Sequence, residues 1–423
     1  MKKKIEFMKW AEDLFPINRS ITGDGVKQTF NYIRKNIGSN FKIRKVKSNK
    51  SFYDWKVPKE WSIKDAYIMN ENGKKICDFK NNNLHIIGYS QKIKKTLNYK
   101  NLKKNIYYLK KQPNSIPYLT SYYKKSWGFC MKYKDFKKIN RKQKYKVLID
   151  SKFFNGHMNY AELVLKGKSK KEILIVSYIC HPSMANNELS GPLVVSALPK
   201  VLKSSKYTIR LLLIPETIGA VAYIKMNYKH LKRNLIAGFN LTCVGDKGPF
   251  TLISSKEENT YADKIAFRVL KKTNKFKKMP FLKRGSNERQ FGCQNLGLPF
   301  VTICRTRFKD YKQYHTSEDN LKIISEKNLR LTLNNIVKII DEIQKNTIFC
   351  KNNICEPFFT KYKLMRTIRN KFSKFEKKIS DISAFADRNY DIEELSVKTG
   401  ISYKETEKLC LLLKRKNILF EFK

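Results

Sequence analysis

The sequence predicts an α/β fold in three layers, in which helices cover both faces of a mostly parallel or mixed sheet. The apolar, β-branched run 173–179 is typical of a strand that is buried on both faces. Beyond residue 146, strand-like runs alternate with helical patterns of about 12 or more residues. The predicted strands are Lys146–Ser151, Ala161–Leu165, Glu172–Ile179, Thr208–Pro215, Leu235–Val244, Phe250–Ser255 and Pro299–Cys304, and the predicted helices are Glu188–Leu202, Ile218–His230, Tyr261–Thr273 and Ser325–Lys345.

The stretch Lys171–Leu202 gives the clearest strand–loop–helix signal. Its apolar run stops at Cys180-His181-Pro182, because proline cannot continue the hydrogen-bond ladder of a strand. Helical apolar spacing then begins at Glu188. Open α/β sheets bind ligands just beyond the carboxyl ends of their strands. This position makes His181 a candidate functional residue.

Ahead of the main sheet, the character of the chain changes twice. Residues 5–37 are predicted as two helices joined by the polar loop 18–25, which is either a substrate contact or a capped turn. In 41–130, short strand-like segments alternate with turn signals such as Asn72-Gly73. We therefore assign 1–40 and 131–348 to the main α/β domain, and 41–130 to an inserted β-rich domain.

The last part of the chain, 358–423, is predicted as a separate winged-helix-like domain. Its outline is a short helix, a turn, a second helix capped by Ser402 with Glu405 three residues later, and a final strand. The second helix carries lysines, but also Glu405 and Glu407. We expect this domain to bind a protein partner or to pack against the rest of the chain. The alternative is sequence-specific DNA binding.

The chain is strongly basic. Its 423 residues include 88 Lys and Arg against 36 Asp and Glu, which gives a formal net charge of +52. Such a charge is typical of proteins that bind nucleic acid. The lysines, however, are spread along the whole chain, and residues with AT-rich codons are abundant as a group. We favour compositional drift as the cause and leave nucleic acid open as a partner.

Cysteine usage and hydropathy indicate a cytoplasmic protein. The nine cysteines are an odd number without CxxC spacing, which is typical of reduced thiols. The first residues lack the apolar core of a signal peptide. No stretch approaches the roughly 18 apolar residues of a membrane span. We expect a cytoplasmic chain without a membrane span, and leave homo-oligomerisation open.

Four polar side chains follow predicted elements of the main domain. His181, Glu216 and Asp246 come after successive strands, and His315 lies in the polar loop Tyr314–Asp319. The carboxyl ends of parallel strands meet at one edge of a sheet, so these groups are expected to converge. Two imidazoles with carboxylates form a zinc-type ligand set, and a further Glu acts as base on a water in such sites. The alternative is that each group only stabilises the local structure.

The chain resembles a bacterial aminopeptidase-like family that is often encoded among surface-polysaccharide genes. Its main domain is similar to the co-catalytic zinc aminopeptidases, and the resemblance implies an inserted β-rich domain and a C-terminal winged helix. The phrases that carry it cover nearly the whole chain: FPINRSITGDGVKQTF, VPKEWSIKDAYI, NNLHIIGYS, IPYLTSYYKKSWGFC, CHPSMANNELSGP, LLLIPETIGAVAYI, LTCVGDKGPFT, GSNERQF and YHTSEDN.

The resemblance implies roles for several residues. His181 matches the first metal ligand of the zinc aminopeptidases and His315 the last. Asn187 stands where they carry the Asp that bridges two metals, and Glu216 matches the first carboxylate of their Glu-Glu pair. Glu216 is then the general base, or itself a ligand if the pair aligns one residue later.

The departures from that pattern remove carboxylates. Thr217 replaces the second Glu of the pair, and Thr242 replaces the next metal-binding Asp, with Asp246 four residues later as a substitute ligand. At Asn187, a neutral amide cannot bridge two zinc ions as a carboxylate does, and the neighbouring Glu188 is a further substitute. The implied site holds one zinc ion, through His181, His315 and oxygens such as those of Asn187 and Asp246, or holds none.

The resulting prediction is a zinc-dependent hydrolase of amide bonds, acting on a peptide or on an N-acyl group of an amino sugar. Arg19 and Arg289 are predicted to bind a substrate carboxylate or sugar acid, with a buried structural pair as the alternative. Two other functions stay open. One is a catalytically inactive scaffold that keeps the cleft for binding, and the other is a winged-helix DNA-binding regulator.

Overall fold

An eight-stranded mixed sheet forms the centre of the main domain, in agreement with the mostly parallel or mixed sheet that the sequence predicts. The computed structural model describes residues 4–202, 205–293, 295–367 and 371–422. Its strands are β1 (Lys42–Lys47), β2 (Ser51–Phe52), β3 (Trp55–Lys56), β4 (Glu60–Met69), β5 (Lys75–Asp78), β6 (Ile93–Asn98), β7 (Ile106–Tyr107), β8 (Phe129–Cys130), β9 (Lys144–Phe154), β10 (His157–Leu165), β11 (Ser169–Tyr178), β12 (Tyr207–Ile214), β13 (Leu235–Leu241), β14 (Phe250–Ile253), β15 (Phe276–Met279), β16 (Phe300–Cys304), β17 (Phe349–Lys351) and β18 (Leu419–Glu421).

Helices cover both faces of the sheet, and this confirms the three-layer α/β class. The α-helices are α1 (Phe7–Leu14), α2 (Asp24–Tyr32), α3 (Tyr99–Lys103), α4 (Tyr133–Phe136), α5 (Ser190–Val201), α6 (Ile218–Asn234), α7 (Tyr261–Leu270), α8 (Glu288–Phe291), α9 (Glu326–Lys345), α10 (Lys374–Phe385), α11 (Ile392–Thr399) and α12 (Tyr403–Arg415). Ile173 and Ile175 of β11 pack in the core with α1, α2, α5, α7 and α9, whereas Leu174 and Val176 pack in the core that contains α6 and Phe291 of α8. Alternate residues of a strand point to opposite faces, so β11 contributes to both cores.

The order of strands places the candidate residues at one edge. The sheet runs β1-β10-β12-β11-β13-β16-β14-β15. The four strands β12, β11, β13 and β16 are parallel to their neighbours within that group. Their carboxyl ends therefore lie on the same side, and the loops that follow them meet there.

The inserted region contains an antiparallel sheet of four strands in the order β5-β4-β9-β6, with its own apolar core. Strand pairing crosses the limits of 41 and 130 that the sequence predicts for the insertion. Strand β1 pairs with β10 in the large sheet, and β9 pairs with β4 and β6 in the small one. The reason is that β9 and β10 are consecutive strands that lie in different sheets, and apolar alternation does not indicate which sheet a strand joins.

The C-terminal region packs α10, α11 and α12 around one apolar cluster, and β18 pairs antiparallel with β17. Arg268 of α7 links this region to the main domain, because it donates hydrogen bonds to Asp391, Glu393 and Glu394. The winged-helix assignment stays a prediction. In the described part of the chain, no helix has the length and apolar character that crossing a bilayer requires.

Candidate active site

His181 lies just beyond β11, and its imidazole is fixed on one side. Its Nδ1 is 2.9 Å from Glu188 Oε2, in the π-helical turn Ala185–Leu189 that precedes α5. Its other ring nitrogen, Nε2, is 3.8 Å from Glu216 Oε2, which follows β12. A carboxylate at one ring nitrogen fixes the orientation and tautomer of an imidazole and leaves the other nitrogen for a ligand.

Arg19 stabilises this arrangement through contacts with His181 and Glu188. Its Nε donates to the backbone oxygen of His181 (3.1 Å) and lies 3.5 Å from Glu188 Oε1, while Nη1 donates to the oxygen of Leu14. Its side chain is fully buried. These contacts favour the buried structural pair that the sequence left open over the predicted substrate role of Arg19.

The surroundings of His181 favour a positive charge at the ring. Burial acts against the charged form, but Cys180 and Glu188 act more strongly in the opposite direction, so the pKa of His181 is raised well above its ordinary value. A metal ion at Nε2 would take the place of that proton, since metal binding needs the deprotonated ring.

Glu216 is held by an unusual backbone turn. The next residue, Thr217, has a φ of +62°, which is rare for a β-branched side chain. Its N–H donates to Asn287 Oδ1 (3.1 Å), and its hydroxyl accepts from Arg289 Nη2 (2.8 Å). Backbone strain of this kind persists where the surrounding structure enforces it and occurs often at active sites.

The carboxylate of Glu216 has the electrostatics of a proton acceptor. Burial raises its pKa above the ordinary value, while His181, Ser286 and Arg289 act in the opposite direction. A general base works best when its pKa approaches the working pH. The exposed Arg289 lies at this site, where it is available to a substrate anion.

His315 completes the imidazole pair. The centre of its ring is 5.4 Å from that of His181, and the ring of Tyr118 is 5.1 Å from both. Burial, followed by the proximity of His181, lowers the pKa of His315 to about 3. The ring is therefore neutral, and its Nε2 is buried without a hydrogen-bond partner in the described part of the chain. Buried polar atoms are rarely left unpaired in proteins, and a bound ligand would supply the partner of this nitrogen.

Asn187 belongs to a neutral cluster beside these groups. Its Nδ2 donates to the hydroxyl of Tyr178 (2.6 Å), and that hydroxyl is 2.6 Å from Thr242 Oγ1. Its backbone N–H donates to Asp319 Oδ2 (2.9 Å). The remaining amide oxygen, Oδ1, is buried without a partner among the described residues. This oxygen is free to face a cation.

Asp246 is occupied elsewhere. Its carboxylate accepts hydrogen bonds from Asn186 Nδ2 (2.8 Å), from the backbone N–H of Gly248 and from the N–H and hydroxyl of Thr306. Both of its oxygens are engaged in holding three loops together. These bonds favour a structural role for Asp246 over the predicted role as a metal ligand.

The residues present offer candidate ligands for one cation. The candidate ligand atoms are His181 Nε2, His315 Nε2 and Asn187 Oδ1. His181 Nε2 faces Glu216, and the other two atoms have no hydrogen-bond partner among the described residues. In the described part of the chain, Cys180, His181 and Glu188 are the set of three whose ligand atoms lie within 4.8 Å of one another. Burial raises the pKa of Cys180, although His181 opposes this, and Glu188 already binds Nδ1. These contacts favour metal binding at His181 Nε2 over metal binding by Cys180, His181 and Glu188 together.

Sequence reasoning missed three residues of the site. Tyr178 is part of the apolar strand run, Tyr118 belongs to the predicted insertion, and Asp319 received no role although it lies in the YHTSEDN phrase. Tyr178 and Asp319 hold Asn187, and Tyr118 contacts both imidazoles. A polar hydroxyl within a buried strand is the one signal that would have identified Tyr178.

Comparison with known proteins agrees with the fold. The chain is 38% identical over 367 residues to a Clostridium acetobutylicum protein named for a proposed role in polysaccharide biosynthesis and for its aminopeptidase-like domain, covering 86% of this chain and 83% of the relative. A crystal structure of a candidate peptidase from the same organism has a TM-score of 0.80 and 34% identity, covering 98% of this chain and 96% of that one.

A more distant structure shows the fold of the main region. The zinc aminopeptidase BSAP of Bacillus subtilis matches with a TM-score of 0.55 and 14% identity, over 81% of this chain and 96% of that one. The large mixed sheet is thus of the zinc-aminopeptidase type. A family model matches residues 8–346. The chain belongs to the family described as Domain of unknown function (DUF4910).

Proposed function

We propose that this protein is a single-zinc hydrolase of amide bonds. The observation that carries the proposal is the pairing of Glu216 with His181 Nε2 at 3.8 Å, beside a buried His315 Nε2 that has no hydrogen-bond partner among the described residues. A carboxylate next to free imidazole nitrogens, at the carboxyl edge of parallel strands, is the arrangement that zinc hydrolases need.

The zinc ligands in this proposal are His181 Nε2, His315 Nε2 and Asn187 Oδ1. Glu188 holds the His181 ring through Nδ1, and Arg19 holds Glu188. Carboxylate–imidazole pairs of this type commonly support metal-binding histidines. A bound zinc ion would supply a Lewis acid that polarises the amide carbonyl.

The remaining chemistry belongs to side chains of the chain. Glu216 takes the proton from the attacking water and returns it to the leaving nitrogen, for which its raised pKa is suited. Arg289 binds a carboxylate or sugar acid of the substrate, because its guanidinium is exposed beside Glu216.

The substrate class in the proposal is a peptide or an N-acylated amino sugar. Support for a link with surface polysaccharide comes from the name of the Clostridium relative. We also propose that the chain works in the cytoplasm and that α10–α12 contact a protein partner, although nucleic acid and self-association are alternatives.

A second candidate is a binding protein without catalysis. The neutral cluster of Tyr178, Asn187 and Thr242 favours it, since zinc aminopeptidases carry metal-binding carboxylates at the positions of Asn187 and Thr242. Such a protein would bind the same ligands in the cleft and leave them intact.

Zinc analysis tests the enzyme proposal. Protein saturated with zinc and then dialysed is expected to retain about one equivalent, and His181→Ala and His315→Ala to retain less than about 0.1 equivalent. The matched control is His157→Ala, because His157 lies on β10 outside the site. Its zinc content should equal that of the unaltered protein.

Two results would contradict the proposal. One is a zinc content below about 0.1 equivalent in the unaltered protein. The other is retention of one equivalent with no release of amine from a panel of aminoacyl anilides and N-acetylhexosamines. The second result would support the binding protein instead.

A further inference from the structure

A basic cleft of about 530 Å³ lies away from the candidate active site. Its wall combines Phe250 at the start of β14, the C-terminal part of α7 and one side of α9. The residues that hold the proposed zinc site do not line it. Its volume falls within the range of about 300–1,000 Å³ that is typical of small-molecule sites.

Arg305, directly after β16, is the buried charge of this cleft. It is 7% exposed, and its Nε and Nη1 are buried without a hydrogen-bond partner in the described part of the chain. The guanidinium lies over the ring of Phe250, 4.7 Å from its centre. Burial lowers the pKa of Arg305, although Asp246 partly opposes this. A buried guanidinium with unused donors is costly unless an acceptor reaches it.

The rim of the cleft has a surplus of positive charge. Glu342 is the carboxylate among its lining residues, and Arg268 is already paired with Asp391, Glu393 and Glu394. The rim lysines are exposed and form no ion pair with the residues that the structure describes: Lys247, Lys272, Lys275, Lys327 and Lys338.

We propose that this cleft binds a small molecule that carries a phosphate or diphosphate group. Arg305, which lines the cleft, would donate guanidinium N–H groups to the phosphate oxygens, and the rim lysines would neutralise the remaining charge. The volume of the cleft, about 530 Å³, favours a small ligand over nucleic acid, which needs a groove that follows its backbone. The site is independent of amide hydrolysis and does not rest on it.

Calorimetric titration with inorganic pyrophosphate at about 0.15 M ionic strength tests the proposal, because this salt concentration screens diffuse surface charge. The full-length protein is expected to bind one pyrophosphate saturably. Lys272→Ala combined with Lys338→Ala should weaken binding by about tenfold or more, and Arg305→Gln should abolish it. The double variant keeps the test valid if Arg305→Gln does not fold.

The matched control is Lys94→Ala combined with Lys95→Ala, which removes the same charge from exposed positions of β6. Its affinity should stay within about twofold of the unaltered protein. Equal weakening by both double variants, or no saturable binding, would overturn the proposal, since the attraction would then be general. Displacement of pyrophosphate by a duplex of about 20 base pairs, with the same loss in the cleft variant, would also overturn it in favour of nucleic acid.

Discussion

The candidate active site has two halves that differ in polarity. The charged half, His181, Glu216 and His315, keeps groups that can hold or exchange a proton. The neutral half, Tyr178, Asn187 and Thr242, joins its side chains through hydrogen bonds of 2.6 Å. Both halves lie at the carboxyl edge of the same parallel strands.

The difference teaches that hydrogen bonds hold the side chains of the neutral half to one another. The hydroxyl of Tyr178 links Asn187 Nδ2 and Thr242 Oγ1, whereas Asn187 Oδ1 has no hydrogen-bond partner among the described residues. Hydrogen bonds within a buried polar network fix the orientation of its members. We infer that the neutral half supports the structure and contributes one oxygen to the proposed zinc site, while proton transfer is proposed for the charged half.

The largest effect is expected for Glu216→Gln. The amide cannot accept a proton, so kcat should fall by about 10²–10⁴ while the zinc content stays unchanged. Steady-state kinetics on the best substrate of the panel, with zinc analysis, measures this. The control is Glu257→Gln, at an exposed position. A kcat within about threefold of the unaltered enzyme would remove Glu216 from the role of base.

The pH dependence of stability should come partly from Asp319, the carboxylate that holds the neutral half. Burial raises its pKa from 3.8 to about 6, although hydrogen bonds from Asn186 and Asn187 oppose this. The folded protein then binds the proton more tightly than the unfolded chain. The free energy of unfolding should therefore fall as the pH rises from about 4 to about 6, by at most about 3 kcal/mol.

Urea denaturation at several pH values, compared with Asp319→Asn, isolates this contribution. The variant should lose that part of the slope between about pH 4 and 6, whatever its absolute stability. Parallel curves for the two proteins would show that Asp319 has the same pKa folded and unfolded.

A smaller effect is expected for Tyr178→Phe. Removal of the hydroxyl leaves Asn187 Nδ2 and Thr242 Oγ1 without this shared partner, which should cost about 1–3 kcal/mol of unfolding free energy. The chain offers a matched control in Tyr207→Phe, because the hydroxyl of Tyr207 is buried and has no hydrogen-bond partner within the described ranges. That change should be neutral or stabilising. Similar losses in both variants would mean that the hydroxyl of Tyr178 is not what joins the neutral half.

The sequence predicted the strands and the edge of the sheet better than the contacts at that edge. His181 and Glu216 were predictable because proline and polar residues stop two buried strands at the same level. The contacts of Arg19 and Asp246 could not be predicted, because the sequence of a loop does not show where its polar groups point, and their roles stay predictions. Their hydrogen bonds to the His181 backbone and to Thr306 depend on folding of the whole domain.

The sheet that β9 joins could not be predicted for the same reason. Its alternation predicts a strand, but pairing with β4 and β6 is decided by contacts far apart in the chain. Tyr118 could not be assigned for a related reason, since nothing near it in the sequence indicates that it reaches two histidines about 60 and 200 residues away.

Tyr118 and its neighbour Pro117 help to set the position of His315. Its backbone N–H donates to the oxygen of His315, and the neighbouring Pro117 bridges to Thr316. The loop that presents His315 is thus anchored by a segment outside the large sheet. The geometry of the imidazole pair therefore depends on this segment as well as on the large sheet.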